Sequence, residues 1–598
     1  MAEVYTDLNE KNKIARVDIS DKRVIPVILL PGIMGSNLKV KRTKKQLWRV
    51  DGVGSLLIWT TQGAKFRKNN LHPKKVSVDN RGKVKSMLSY ASEKLKDVAG
   101  VLPGGRWVLK KQIEDMYKNN PENILFGSRE SRGWGEVAYR SYGDFLDKLQ
   151  RELLESGDLT KQLMSNVLKT EPANKEQKLQ KEELDVLKKY LFPVHAIGYN
   201  WLDSNINSAQ EVGNKIEKII KNYNQKKMKC HKVILVTHSM GGLVARYYSG
   251  CLGGEKNIYG IVHGVMPSIG AAATYTRMKS GNENTATAAV SYLKGEVTAE
   301  ILGKDAAEMT AICSHSPGPL ELLPSKGYGM HWLRIQKPQD YSDDSETTPQ
   351  KVGNERVLEQ VVIEEVRAPK NDPYTEIYLQ REKWWKLIDE ELLNPNNKHN
   401  NAAIIEKDWG IYEKIIVEQV MPFHSNISGR FHPNTYSFHG ENMGEIIPDE
   451  YKTAKSASWR QVLEEIKFIP VITPSPHPFS PVLIQPPAPV SVPVNLESYE
   501  SKTALRDGRL VRGETGNVRT VRWPDNKANR FVLRGQRDDG DGTVPVHSGR
   551  LEDNVVKERY STHVAHESCY TNINCQLFTL RSIIRIAHEV YNDKEMAF

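Results

Sequence analysis

The stretch VILVTHSMGGLVARYYSG, residues 233–250, constrains this chain more than any other. Four apolar, mostly β-branched residues give way at once to Ser239 and two glycines, and then to a helix-compatible run. A buried strand that turns sharply into a helix holds the residue at the turn in a strained conformation, with its side chain above the carboxyl edge of a sheet. Strand and helix backbones nearly touch there, so the residues two before and two after must be small. Here these are Thr237 and Gly241, with Gly242 beside the latter. Thr237 departs from the usual glycine, but it is still small. Ser239 is therefore the expected nucleophile.

Three segments read as an α/β core. RVIPVILLPGIMGSNL (23–38) is a strand running into a Gly-rich loop. Residues 191–275 carry a strand in LFPVHAIGYNW, a helix, the strand before Ser239, a second helix and the strand-like IYGIVHGVMP. In the first helix, Ala209, Val212, Ile216, Ile219, Ile220 and Tyr223 share one face at a helical period, and Ser208 with Glu211 reads as a capping box at its start. The third segment has the strand RFVLRG, the acidic turn RDDGDGTVP and a closing helix near FTLRSIIRIAHEVYN. Alternating strands and helices imply a mostly parallel sheet covered on both faces. With the sharp turn at Ser239, the expected class is an α/β-hydrolase fold with two large cap insertions. The expected division is core at 1–66, insertion at 67–139, core at 140–275, insertion at 276–527 and core at 528–598.

The first insertion has a candidate helix in WVLKKQIEDMYKN (107–119). The second holds polar stretches and the Pro-rich FIPVITPSPHPFSPVLIQPPAPVSVPVN (468–495), where missing amide donors favour extended backbone and a surface connector. No internal repeat is visible.

A serine nucleophile needs donors for the developing oxyanion. One is expected from the Met240 amide at the helix N-terminus. The other falls on the loop LPGIMGS, with Ile33 favoured over Met34. The partners should follow in the order serine, acid, histidine. Asp541 in GDGTVP is the chosen acid, ahead of Asp538 and Asp539, and His566 in STHVAHESCYTN is the chosen base, ahead of His563. His547 lies too near the acid and reads as a turn residue. His195, His238 and His263 read as packing or hydrogen-bonding residues. The acidic turn lacks the twelve-residue calcium-loop pattern, and HExxH is missing, so neither metal nor other cofactor is expected.

Composition adds little. The net charge of +11, from 84 basic and 73 acidic residues, suits loose attraction to an anionic lipid surface. No nucleic-acid recognition module accompanies it. MAEVYTDLNEKNK has no signal-peptide pattern, and no apolar run is long enough to span a bilayer. The expectation is a chain made in the cytoplasm. Five scattered cysteines, Cys230, Cys251, Cys313, Cys569 and Cys575, read as free thiols.

PVILLPGIMGSNL, GYNWLDSN, VTHSMGGLVAR, GPLELLP and GDGTVP, in that order, resemble the lipase and acyltransferase branch of α/β-hydrolases that includes lecithin:cholesterol acyltransferase and the GPI-inositol deacylases. The combination of HAIGYNWLDSNINSA, VTHSMGGLVARY and VHGVMPSIGAAATYTRMKSG resembles more closely a group of bacterial lipases, the GPI-inositol-deacylase-like phospholipase effectors of type VI secretion. The resemblance covers the core segments well and the insertions poorly. It implies caps over an acyl-binding cleft, a membrane glycerophospholipid substrate reached by peripheral contact, a secretion-apparatus carrier, and a cognate immunity protein. It also implies delivery into the periplasm of target cells. An esterase or acyltransferase on another ester is the alternative within this chemistry. A binding protein that has lost activity is the alternative outside it.

Overall fold

The computed structural model describes residues 22–49, 51, 59, 61–84, 121–165, 168, 170–171, 178–281, 302–338, 350–352, 355–357, 362–441, 453–462, 509–510, 516–522 and 528–592. The candidate helix at 107–119 and the Pro-rich stretch at 468–495 lie outside them.

Short runs of Val, Ile and Leu that are buried along their whole length belong in a sheet covered on both faces. β1 (Val27–Leu30), β3 (Val233–His238) and β4 (Ile258–Gly264) carry such runs, and they are joined by β2 (Val194–Ala196), the buried but more polar β5 (Thr435–Gly440) and the partly buried β6 (Glu558–Thr562). They form one sheet in the order β6-β5-β4-β3-β1-β2, and every pairing is parallel. Leu30 pairs with Thr237, Thr237 with His263, and Gly440 with Thr562, so the carboxyl ends lie along one edge.

The helices beside this sheet are α1 (Tyr139–Glu155), α2 (Asn205–Gln225), α3 (Met240–Cys251) and α5 (Ile573–Asn592). Two glycine environments separate the faces. A Cβ on Gly260 of β4 would meet Ile586 of α5 at 2.7 Å, whereas His263, three residues on, lies against Gly242 of α3. Odd and even strand residues point to opposite faces, so α3 and α5 cover opposite sides. Helix α2 packs on α3, and α1 packs with α5.

The start of α2 corrects the expected capping box. Ser204 is the N-cap and accepts from the Ile206 amide, which leaves Ser208 inside the helix. Buried Glu321 also caps this end, accepting from the Ser204 hydroxyl and the Asn205 amide. A Cβ on Gly318 would fall 2.4 Å from the Trp201 carbonyl oxygen. GYNWLDSN and GPLELLP are thus two halves of one contact.

Two segments pair otherwise than their local strand patterns suggest. The strand containing RFVLRG, Ala528–Asp538, is not part of the parallel sheet. It belongs to a second six-stranded sheet with Val362–Ala368, Leu333–Pro338, Thr453–Val462, Val518–Arg522 and Arg509–Leu510. The strand of the parallel sheet that meets Asp541 is β5, within the residues assigned to the second insertion. Arg, Thr and Gly between the apolar residues of RFVLRG and its partners fit a sheet with one covered face, which the local reading did not separate from core. At the other end, Val76–Val78 pairs with Leu38–Val40, so the boundary drawn at 67 cuts through one three-stranded sheet. Helix α4 (Ala272–Ser280) follows β4 and packs against the strand Thr453–Val462 of the second sheet.

Candidate active site

Ser239 stands between β3 and α3 with φ 49° and ψ −123°. A non-glycine residue at positive φ stores strain of about 1–3 kcal/mol and persists only where its surroundings fix it. Those surroundings are tight: a Cβ on Gly241 would lie 2.5 Å from the Pro31 carbonyl oxygen, and one on Gly32 would lie 3.1 Å from Ser239 Cβ. Thr237, in place of the usual glycine, is fully buried and its hydroxyl meets His263 Nδ1 at 2.9 Å.

His566 follows β6 by four residues and reaches Ser239 Oγ with its Nε2 at 2.8 Å. Its Nδ1 lies 2.8 Å from Asp541 Oδ2. All three side chains are buried. Asp541 is held by its own turn, since the Thr543 and Val544 amides donate to Oδ1 at 2.9 and 2.6 Å. The His566 amide donates to the Asp541 carbonyl oxygen, which ties the two backbones together. A Cβ on Gly440 would sit 2.6 Å from Asp541 Cβ, so the end of β5 seats the acid although about a hundred residues separate them in the chain.

An ionised carboxylate accepts only, so Nδ1 of His566 carries the proton and Nε2 is free to accept the serine proton. Burial pushes this imidazole's pKa down, but the Asp541 charge and hydrogen bond outweigh it and hold the value above the usual one. Of the alternatives, Asp539 uses its carbonyl oxygen to accept from Val546, and the side chain of Asp538 lies outside the described residues. His563 is not the histidine at Ser239, and His547 packs edge-on to Tyr328 at 4.2 Å between ring centroids. His195 meets the Tyr223 hydroxyl at 2.9 Å.

Met240 is the first residue of α3, where amides lack intrahelical partners. On the facing loop, the Gly32 amide is taken by the Tyr142 hydroxyl at 3.0 Å. Ile33 is the next amide, and no acceptor for it occurs among the described residues. Met34 follows with φ 63°, its carbonyl oxygen accepting from Trp48 Nε1 at 2.9 Å.

Sequence reasoning missed one network. Tyr142 on α1 lies 2.7 Å from His238 Nδ1, and His238 Nε2 lies 2.9 Å from the His566 carbonyl oxygen. Burial, and then the neighbouring His566, push the His238 pKa down to about 3, so this ring is neutral. A carbonyl oxygen only accepts, so the single proton is on Nε2, and the Tyr142 hydroxyl donates to the bare Nδ1. The signal was split between a histidine inside the turn and a tyrosine far upstream, with no spacing to connect them.

Ile33 and Met34 also line a cleft of about 510 Å³, counted with its open mouth. Met278, Leu302, Met309 and Leu322 supply further apolar walls. Methionines adapt to irregular apolar ligands.

Residues 205–263, which run from α2 through the Ser239 turn into β4, match the family model described as PGAP1-like alpha/beta domain. A solved structure, "The crystal structure of Tle4-Tli4 complex", matches with a TM-score of 0.63 and 24% identity, covering 95% of this chain and 99% of that chain. No curated protein matches. At this identity the likeness establishes the fold, a mostly parallel α/β-hydrolase sheet with helices. The family model falls on the segment that carries the Ser239 turn.

Proposed function

We propose that this chain, an α/β-hydrolase fold with a PGAP1-like segment, is a serine ester hydrolase that cleaves acyl esters of membrane glycerophospholipids. The observation that carries the reading is the continuous path from Ser239 Oγ to His566 Nε2 and from His566 Nδ1 to Asp541, each step 2.8 Å. His566 takes the Ser239 proton as Oγ attacks the ester carbonyl, and Asp541 fixes the tautomer and offsets the charge on the ring. The oxyanion is received by the Met240 and Ile33 amides. His566 then returns its proton to the leaving alcohol, and a water deprotonated by His566 releases the acyl group from Ser239. The apolar cleft beside Ile33 and Met34 takes the acyl chain.

The biological setting we propose is an antibacterial type VI lipase effector with a cognate immunity protein and a secretion carrier. The resemblance of the motifs supports it, as does the match to one chain of a two-protein complex.

The test uses purified protein and Ser239→Ala with phosphatidylethanolamine and phosphatidylglycerol vesicles whose two acyl chains differ. The expected result is serine-dependent release of one fatty acid and its lysolipid, read by mass spectrometry. Covalent labelling of Ser239 by a fluorophosphonate without lipid turnover would transfer the reading to another ester. Absence of labelling as well would remove the hydrolase reading.

A further inference from the structure

Arg277 is the one charged residue lining the cleft among the described residues. It projects from α4, the helix that also supplies Thr274 and Met278 to the same wall. Its Nη2 donates to the Thr543 hydroxyl at 2.8 Å, and the Thr543 amide donates to Asp541. The guanidinium is thereby anchored two residues from the acid and faces the cleft that the oxyanion loop borders. Its charge is felt at His566, where it counts among the groups that lower the pKa.

Other arginines near the core are occupied. Arg129 and Arg132 pair with Glu122, Arg519 pairs with Asp389, and Arg581 pairs with Glu558. Arg246 is spent on three carbonyl oxygens. Arg277 has no carboxylate within ion-pair distance among the described residues, and the Thr543 hydroxyl is its one side-chain hydrogen bond there. A guanidinium has five N–H donors in a fixed fork, so most of its capacity is open. It is half-buried rather than solvated, a setting in which a charge-assisted pair is worth more than in water. An otherwise apolar cleft with one such fork beside the catalytic residues fits an amphiphile that carries its anion close to the scissile ester.

We propose that Arg277 binds the phosphodiester of the substrate and so selects phospholipids over neutral glycerides with the same acyl chains. This rests on the ester-hydrolase reading above. A planar fork matches two phosphate oxygens, and an ammonium at this place makes a point contact only.

The test compares dioleoyl phosphatidylglycerol with dioleoylglycerol at equal mole fraction in nonionic mixed micelles, for wild type, Arg277→Gln and Arg277→Lys. In Arg277→Gln the ratio of kcat/KM for phospholipid over diacylglycerol is expected to fall about ten- to a hundredfold, the worth of a hydrogen-bonded charge. Arg277→Lys should recover part of the ratio. The acid limb of the pH profile should move up in Arg277→Gln, because a charge that lowers the His566 pKa is gone, a shift that a purely structural role would not produce. Binding of dihexanoyl phosphatidylglycerol by Ser239→Ala, and its weakening in Ser239→Ala/Arg277→Gln, gives a readout without turnover. An unchanged ratio with unchanged binding overturns the proposal and leaves the hydrolase reading standing. Turnover of neither lipid by wild type removes the phospholipase reading, and the binding pair then decides the role of Arg277 alone. Inorganic phosphate that inhibits wild type while the ratio stays unchanged in Arg277→Gln would make Arg277 a general anion site, which also overturns the proposal.

Discussion

The Tyr142 hydroxyl lies 2.7 Å from Nδ1 of His238 and accepts from the Gly32 amide at 3.0 Å, so one oxygen joins the loop after β1 to the residue before Ser239. His238 passes the connection on to the His566 carbonyl oxygen. The loop offering Ile33, the turn offering Ser239 and the loop offering His566 are therefore held by one buried relay. Tyr142→Phe leaves the Gly32 amide and His238 Nδ1 without partners, each costing about 1–3 kcal/mol when buried. The expected outcome is a lower melting temperature and a kcat reduced about tenfold or more, because small displacements of reacting groups are costly. KM should change little, since Tyr142 does not line the cleft. Steady-state kinetics with one ester and a thermal melt check both, and an unchanged kcat would remove the relay from the account of the site.

The His566–Asp541 pair makes the pH profile predictable in sign. The folded-state pKa of His566 is raised, with burial opposing and the Asp541 charge and hydrogen bond prevailing. The base must be neutral to accept the Ser239 proton, so activity should fall as pH drops through a value above about 6.5, the ordinary histidine pKa. In Asp541→Asn burial loses its main opponent, and the acid limb should move to lower pH while kcat falls on the order of 10⁴-fold through loss of the correct tautomer. Stability follows the same linkage. A raised folded pKa stabilises fully below the unfolded value and loses that contribution as pH rises through the folded value. Denaturant midpoints between about pH 5 and 9 should show this decline in wild type and lack it in Asp541→Asn.

How far the sequence carries can be judged from particular residues. The β3–Ser239–α3 unit was legible because its period, glycine spacing and strand length are all local. Asp541 and His566 were legible through order along the chain, with Asp538, Asp539 and His563 left open beside them. Their mutual distances could not be read, since these depend on Gly440 and β5, which lie a hundred residues before the acid. RFVLRG misled because a strand covered on one face and a core strand share composition, and only pairing with Thr453–Val462 separates them. His238 was read as a hydrogen-bonding residue without its partners, and Tyr142 and Arg277 escaped because each meets a partner far away in the chain, and a lone Tyr or Arg has no pattern.

Strain at Ser239 gives a stability prediction independent of activity. With φ 49° and ψ −123°, any residue bearing a Cβ is strained there. Ser239→Ala keeps the Cβ and removes the hydroxyl, whereas Ser239→Gly removes the cause of the strain at some cost in unfolded-state entropy. Both variants should be inactive, and Ser239→Gly should be the more stable, by about 1 kcal/mol after the entropy is offset. Chemical denaturation of the two inactive variants side by side measures the difference. Equal midpoints would mean that the turn relaxes around the alanine.

Two residues beyond Arg277 on α4, Lys279 meets Asp389, which lies between two cations, with Lys279 Nζ at 3.2 Å from Oδ1 and Arg519 on Oδ2, and none of the three is more than 2% exposed. Burial pushes the Lys279 pKa down to about 7 against the pull of Asp389. Asp389 itself is raised by burial and lowered further by the two cations, and it ends below the usual carboxylate value. The triad joins α4 to the second sheet, because Lys279 lies in the last turn of the helix and Arg519 sits on Val518–Arg522. Removing the shared carboxylate in Asp389→Asn leaves two buried cations facing each other, which should cost about 3–5 kcal/mol. Replacing all three at once by Met, Leu and Met should cost far less, because apolar packing avoids the desolvation that the ions must offset. Helix α4 also carries Arg277 and Met278 to the cleft, so Asp389→Asn should raise KM for a long-chain ester more than it lowers kcat. Denaturant midpoints and kinetics on the single and triple variants check both claims. A triple variant as unstable as Asp389→Asn would mean that the charges, and not the volume they fill, hold the helix to the sheet.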